Sequence, residues 1–196
     1  MKIIINVALF IICVICTALL IISIYPGVLD SLIFIVTLVS ILSLPGFFIV
    51  GIMFLVVVGR RINLRDIQVP WRRIGAIATI ILVSYILLKF YIPRRLAFMI
   101  SRSAFEQTRV QIPFSVNRKT TLDRRLGLYT VDELAIDSRG GVYFRVYSGG
   151  SGFSPDTTSY GFVYQPNREG SPFGMANYQV FPLDENWYWF RVSDDW

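Results

Sequence analysis

Cys13 and Cys16 are the only cysteines in the chain, and their C-x-x-C spacing is that of a redox pair or half of a metal site. Their setting argues against both. They lie within an uncharged run from Ile3 to Leu29, and apolar surroundings raise a thiol's pKa and withhold the reactive thiolate. They read as small apolar residues one turn apart on a helix face. The chain has no histidine. That removes the Ser–His–Asp triad, the Cys–His pair and every histidine-ligated zinc or haem.

Carboxylates are the remaining chemical resource. Asp132, Glu133 and Asp137 fall on or near one hairpin, Asp156 in a long loop, and Asp194 and Asp195 at the end. Two carboxylates at the right separation hydrolyse glycosidic bonds, and a cluster holds Ca²⁺, but no spacing here matches a calcium-binding loop. A solvated acidic rim is the preferred reading. The glycines at 149, 150 and 152 lack the following lysine and helix of a phosphate-binding loop; a surface loop fits better. No catalytic, cofactor-binding or metal-binding residue is assigned, and no cofactor is expected.

The elements around these residues come from hydropathy. The chain has 196 residues and is 54% hydrophobic. Three runs dominate: Ile3 to Leu29, Ser31 to Gly59, and Ile74 to Leu88, the last extended through Lys89 to Ile92. Crossing a bilayer core takes about 20 apolar residues. The expected fold class is therefore membrane α-helical, with three transmembrane helices, plus a small C-terminal antiparallel β-sheet domain with one amphipathic helix (α+β). The first run is read as a retained span, because it is longer than a signal peptide's apolar core. In the second, Pro45 and Gly46 predict a kink. The domain boundaries expected are 1–93 for the three-helix anchor, 94–112 for an amphipathic juxtamembrane helix, and 113–196 for an extracytoplasmic antiparallel β domain.

The net charge is +6, and its placement decides what it means. Arg60, Arg61, Arg65, Arg72 and Arg73 crowd the loop between the second and third runs, while residues 110–196 hold eight cations against ten anions. Nucleic-acid binding is excluded, because the globular part lacks a basic field. The positive-inside rule places the arginine-rich loop and the N-terminus in the cytoplasm and the C-terminal domain outside, in the periplasm, a lumen or the extracellular space, on a plasma or inner membrane.

Pro93 should end the third span, and Arg94 to Gln111 reads as a surface helix in which Glu106 pairs with Arg102 and Arg109. Strands are expected at 128–136, 142–147, 160–165, 178–181 and 187–192. The turn Asp137-Ser138-Arg139-Gly140-Gly141 gives a hairpin signal. Alternation puts Trp187 and Trp189 on one sheet face and Tyr188 and Phe190 on the other. One aromatic set builds the core. The candidate partner surface comprises Trp187, Trp189, Tyr188, Tyr164, Phe162 and Tyr143, with core packing as the alternative.

The function expected from these features is a multi-pass membrane protein presenting its aromatic-rich β domain for protein–protein interaction, as a non-catalytic accessory subunit of a membrane complex. Its partners would be the lipid bilayer and a protein of that complex. Two alternatives stand beside it: an extracytoplasmic ligand-binding sensor whose loops at 148–159 and 166–176 line a pocket, and a carboxylate-based envelope hydrolase.

Overall fold

The computed structural model describes residues 2–28, 71–111, 119–150 and 157–194. It contains helices α1 (Lys2–Ile22), α2 (Trp71–Lys89) and α3 (Ile92–Gln111). Six strands follow: β1 (Lys119–Leu126), β2 (Tyr129–Ile136), β3 (Val142–Gly150), β4 (Thr157–Tyr164), β5 (Ala176–Asp184) and β6 (Trp187–Ser193).

The expected three-span architecture is corrected here. No single helix among the described residues is long and apolar enough to cross a membrane. The reason is length. The apolar stretches Leu9–Ile22 and Gly75–Lys89 rise only about 21–23 Å at 1.5 Å per residue, short of the ~30 Å core. Adding Lys89 to Ile92 does not extend the third run, because the chain bends by 52° between α2 and α3. That bent pair passes for a span only when its two helices are counted together, and by length and composition alone. The second run, with Pro45 and Gly46, and the loop residues Arg60, Arg61 and Arg65 lie outside the described residues. Arg72 and Arg73 sit in the first turn of α2. The multi-pass localisation, and the sidedness read from these arginines, therefore lose the spans they rested on.

The β-rich half is a single antiparallel sheet of six strands in the order β1-β2-β3-β4-β6-β5. The turn at 137–141 forms as its sequence predicts. Asp137 N–H donates to Gly141 O at 2.8 Å, Gly140 N–H donates to Asp137 O at 2.9 Å, and Gly140 takes a φ of 91°, which glycine adopts without steric cost. The β5–β6 hairpin folds back so that β6, not β5, pairs with β4. Residues 165–175 must then cross a sheet face to reach the far edge.

That crossing explains how one sheet buries both its faces. On the front, α3 lays down Ala97, Phe98, Ser101, Phe105 and Thr108, the helical spacing of a buried stripe. Phe105 packs at 5.2–5.9 Å from the rings of Phe144, Phe162 and Trp187. On the back, the crossing segment lowers Phe173 onto Phe190 in a parallel stack at 6.0 Å, over Ala135, Tyr143, Val163 and Val192. Trp187 and Trp189 belong to the front cluster and Phe190 and Tyr188 to the back, as alternation requires.

Candidate interaction surface

The six aromatic residues assigned to a partner surface sit mostly inside. Trp187, Phe162 and Tyr143 are 0% exposed and Trp189 is 4% exposed. Tyr164 and Tyr188 are half-buried. Trp187 Nε1–H donates to Glu106 Oε1 at 2.8 Å, which satisfies its one polar atom. Tyr143's hydroxyl donates to Gly170 O at 3.2 Å and accepts from Asn167 N–H at 2.9 Å; Tyr178 Oη lies 3.1 Å away. Burial raises the pKa of both tyrosines. For the buried members Trp187 and Tyr143, the polar tips are spent within the fold, as core packing requires.

The α3 acid–base cluster faces the sheet edge. Glu106 meets Arg109 at 3.2 Å and Arg102 at 3.7 Å, Arg102 pairs with Asp184 of β5, and the Arg109 guanidinium lies 4.0 Å over Tyr164. Both expected ion pairs of Glu106 are present. Its bond to Trp187 had no signal in the sequence, because the partners lie 81 residues apart.

Asp132 and Glu133 of the first hairpin face a single cation. Arg145 holds Asp132 at 2.9 Å and Glu133 at 3.0 Å. Asp194 accepts from the Thr157 hydroxyl. Asp156 and Asp195 lie outside the described residues. Among the described residues, no group of three or more Cys, Asp or Glu could hold a metal ion. A shallow cavity of about 440 Å³ lies on the back of the sheet. Lys119, Asp194 and residues 171–175 line it, with Phe173 as an aromatic wall.

Uncovered apolar surface lies on all three helices; on the outer face of α3, Ile100 and Val110 are 72% and 76% exposed. On α1, Phe10 is 69% exposed, with Ile11, Val14 and Ile15 close to half. On α2, Leu82 and Tyr85 are each 58% exposed, beside Ile86. Two threonine hydroxyls on these helices are bonded back to the helix. Thr17 Oγ1 donates to Cys13 O at 2.8 Å, and Thr79 Oγ1 donates to Gly75 O at 2.9 Å. Such back-bonding satisfies the hydroxyl and leaves the methyl outward. A groove of about 380 Å³ on α1 is lined by Cys13, Val14, Thr17, Ala18 and Ile21. Cys13 and Cys16 are unbridged and half-exposed. Of the two, Cys13 lines the groove.

Each helix of the pair is tied to the sheet domain beyond its C-terminal end. Beyond α1, Tyr25 Oη donates to Leu128 O at 2.6 Å, and its ring meets Tyr129 edge-on at 5.4 Å. Beyond α2, Arg94 is buried and stacks over Trp189 at 4.2 Å. No known protein family, curated protein or solved structure matches the chain.

Proposed function

We propose that the protein is a non-catalytic interaction subunit whose α1 and α2 faces dock against an apolar surface of a partner protein, while the sheet domain acts as their rigid mount. The observation that carries this reading is the exposed apolar row on α1 and α2, with the Thr17 and Thr79 hydroxyls bonded back to the helix. A helix that is apolar around most of its surface gains stability only by covering that surface, and contiguous exposed apolar patches mark interaction sites. The docking surface in this proposal is the helix pair, because Trp187, Trp189, Phe162 and Tyr143 of the sheet are buried.

The test is a photo-crosslinking residue placed at Phe10 or Ile86 of the full chain in cells. The expected result is one discrete protein adduct from each site, lost when Leu82→Glu and Val14→Glu are introduced together. Adducts with lipid alone, or a smear unaffected by the two charges, would overturn the protein-partner reading.

The cavity beside Phe173 favours one second reading, the ligand sensor. Its aromatic wall, with a lysine and an aspartate at the rim, suits a small zwitterionic molecule. Ligand-induced chemical-shift changes confined to Lys119, Phe173 and Asp194 on titration with amino acids would support it. Their absence at millimolar ligand would remove it.

A further inference from the structure

We infer that the junction between α2 and α3 is a strained elbow held shut by an arginine–aromatic latch, so that the angle of α2 responds to the β5–β6 edge of the sheet. The inference is independent of what α2 binds.

The strain lies at Tyr91. It has a φ of 54°, in the left-handed region, which costs any residue with a Cβ and is ordinarily filled by glycine or asparagine. Regular helical bonding fails around it. Phe90 N–H still reaches Ile86 O at 3.1 Å, but Tyr91 N–H falls back on Leu88 O at 3.1 Å, and bonding restarts with Arg95 N–H to Tyr91 O at 3.0 Å. Pro93 reinforces the break, because a helix running straight through would drive its ring into the carbonyl of Lys89. It is accommodated in the first turn of α3, where no N–H is needed.

A strained residue persists only where its surroundings overrule it, and here the surroundings come largely from one sheet edge. The Tyr91 ring packs 5.1 Å from Trp189 and 5.7 Å from Phe181. Arg94, buried, lies 4.2 Å over Trp189 and 5.3 Å from the Tyr91 ring. Trp189 and Phe181 stack on each other at 4.1 Å. Arg95 Nη2 donates to Pro182 O at 3.2 Å. Everything named beyond the elbow itself belongs to β5 or β6. Loosening that edge releases Tyr91 toward ordinary helical dihedrals and swings α2. With a 52° bend and a helix about 28 Å long, its far end sweeps on the order of 20 Å if the bend is lost.

The test is a distance distribution between spin labels at Ala78→Cys on α2 and Ser138→Cys in the β2–β3 turn. It uses the full chain with Cys13→Ala and Cys16→Ala, in mild detergent. The wild-type elbow should give one narrow distribution. Tyr91→Ala, which keeps the strained backbone and removes its clamp, should give a second, displaced population. Phe181→Leu, a milder change to a half-buried residue, should broaden the distribution in the same direction, so the result does not depend on the first variant folding. A narrow, unshifted distribution in either variant whose sheet domain remains folded by near-UV circular dichroism would overturn the latch. It would mean that α1–α2 packing alone sets the angle.

Discussion

The helix pair α1–α2 and the interior that α3 closes against the sheet are both rich in large apolar side chains, yet they treat them in opposite ways. In the sheet domain, Phe98, Phe105, Phe162 and Trp187 are fully buried, and a second cluster closes the other face. In the helix pair, Phe10, Leu82 and Tyr85 stand in the open. Apolar composition alone therefore does not say whether a segment makes a core or seeks a partner. Among the described residues, the deciding factor is whether another segment lies over the apolar face. The sheet has two such segments, α3 in front and residues 165–175 behind.

The largest break in that comparison comes from matched substitutions. Phe105→Ala in the sheet core should cost about 3–5 kcal/mol, enough to lower the melting temperature steeply or prevent folding. Leu82→Glu on α2 should leave the isolated protein's melting temperature nearly unchanged, within about 0.5 kcal/mol, while abolishing partner crosslinks. Calorimetry on the pair checks this. Equal destabilisation by both would mean the helix face is covered within the monomer.

A second, smaller break targets the contact between the β1–β2 turn and α3. Gly127 has a φ of 63°, and a Cβ there would come within 2.6 Å of the Ser101 side chain. Gly127→Val should cost roughly 2–3 kcal/mol, from left-handed strain plus the clash, read as a denaturant midpoint. Ser101 Oγ also accepts from Leu128 N–H at 3.0 Å, so the variant should expose the Leu128 amide to hydrogen exchange. A midpoint like the parent's would show that the turn is not seated on the helix.

Glu106 sharpens the comparison at its polar seam. Glu106→Ala leaves the Trp187 indole N–H without its acceptor and removes the shared partner of two arginines. The side chain is partly exposed, so solvent screening limits the cost to about 1 kcal/mol. Glu106→Gln keeps an acceptor for the indole and should recover more than half of it. No difference between the two variants would remove the indole bond from the account.

The mildest break uses pH. Burial raises the Tyr129 pKa above its ordinary value of 10.0, with the Arg94 charge acting in the opposite sense. The folded state therefore binds this proton more tightly than the unfolded state. The resulting stability is complete below about pH 10 and is lost progressively as pH rises above it. Tyr143 and Tyr178 act in the same direction. Urea midpoints should hold steady from pH 7 to 9 and fall above about pH 10, with a shallower fall in Tyr129→Phe. A midpoint that rises with alkaline pH would contradict the buried, neutral tyrosines.

Much of the sheet domain was legible in the sequence. The turn at 137–141, the alternation that separates Trp187 from Tyr188, and the helix after Pro93 follow from turn chemistry and periodicity. Strand β1 was not foreseen, because Lys119-Thr120-Thr121-Leu122-Asp123-Arg124-Arg125 carries an exposed, charged pattern rather than an alternating apolar one. The back-face cover was hidden for a related reason: Phe173 sits in a segment with no period, and only the crossover to β5 brings it onto Phe190. The elbow escaped as well. Pro93 marked a boundary, but the residue that bends the chain is Tyr91, a type that gives no local warning of a left-handed backbone. The span reading failed on geometry, because hydropathy counts residues and does not see where a helix breaks.

Carbene footprinting of the full chain tests the division between closed sheet and open helices most directly. In the purified protein alone, Phe10, Val14, Leu82 and Ile86 should be heavily labelled, and Phe162 and Trp187 should stay unlabelled. In the assembly extracted from cells, the helix labels should be lost and the sheet pattern unchanged. Unlabelled helices in the isolated protein, or a labelled Trp187, would contradict the account.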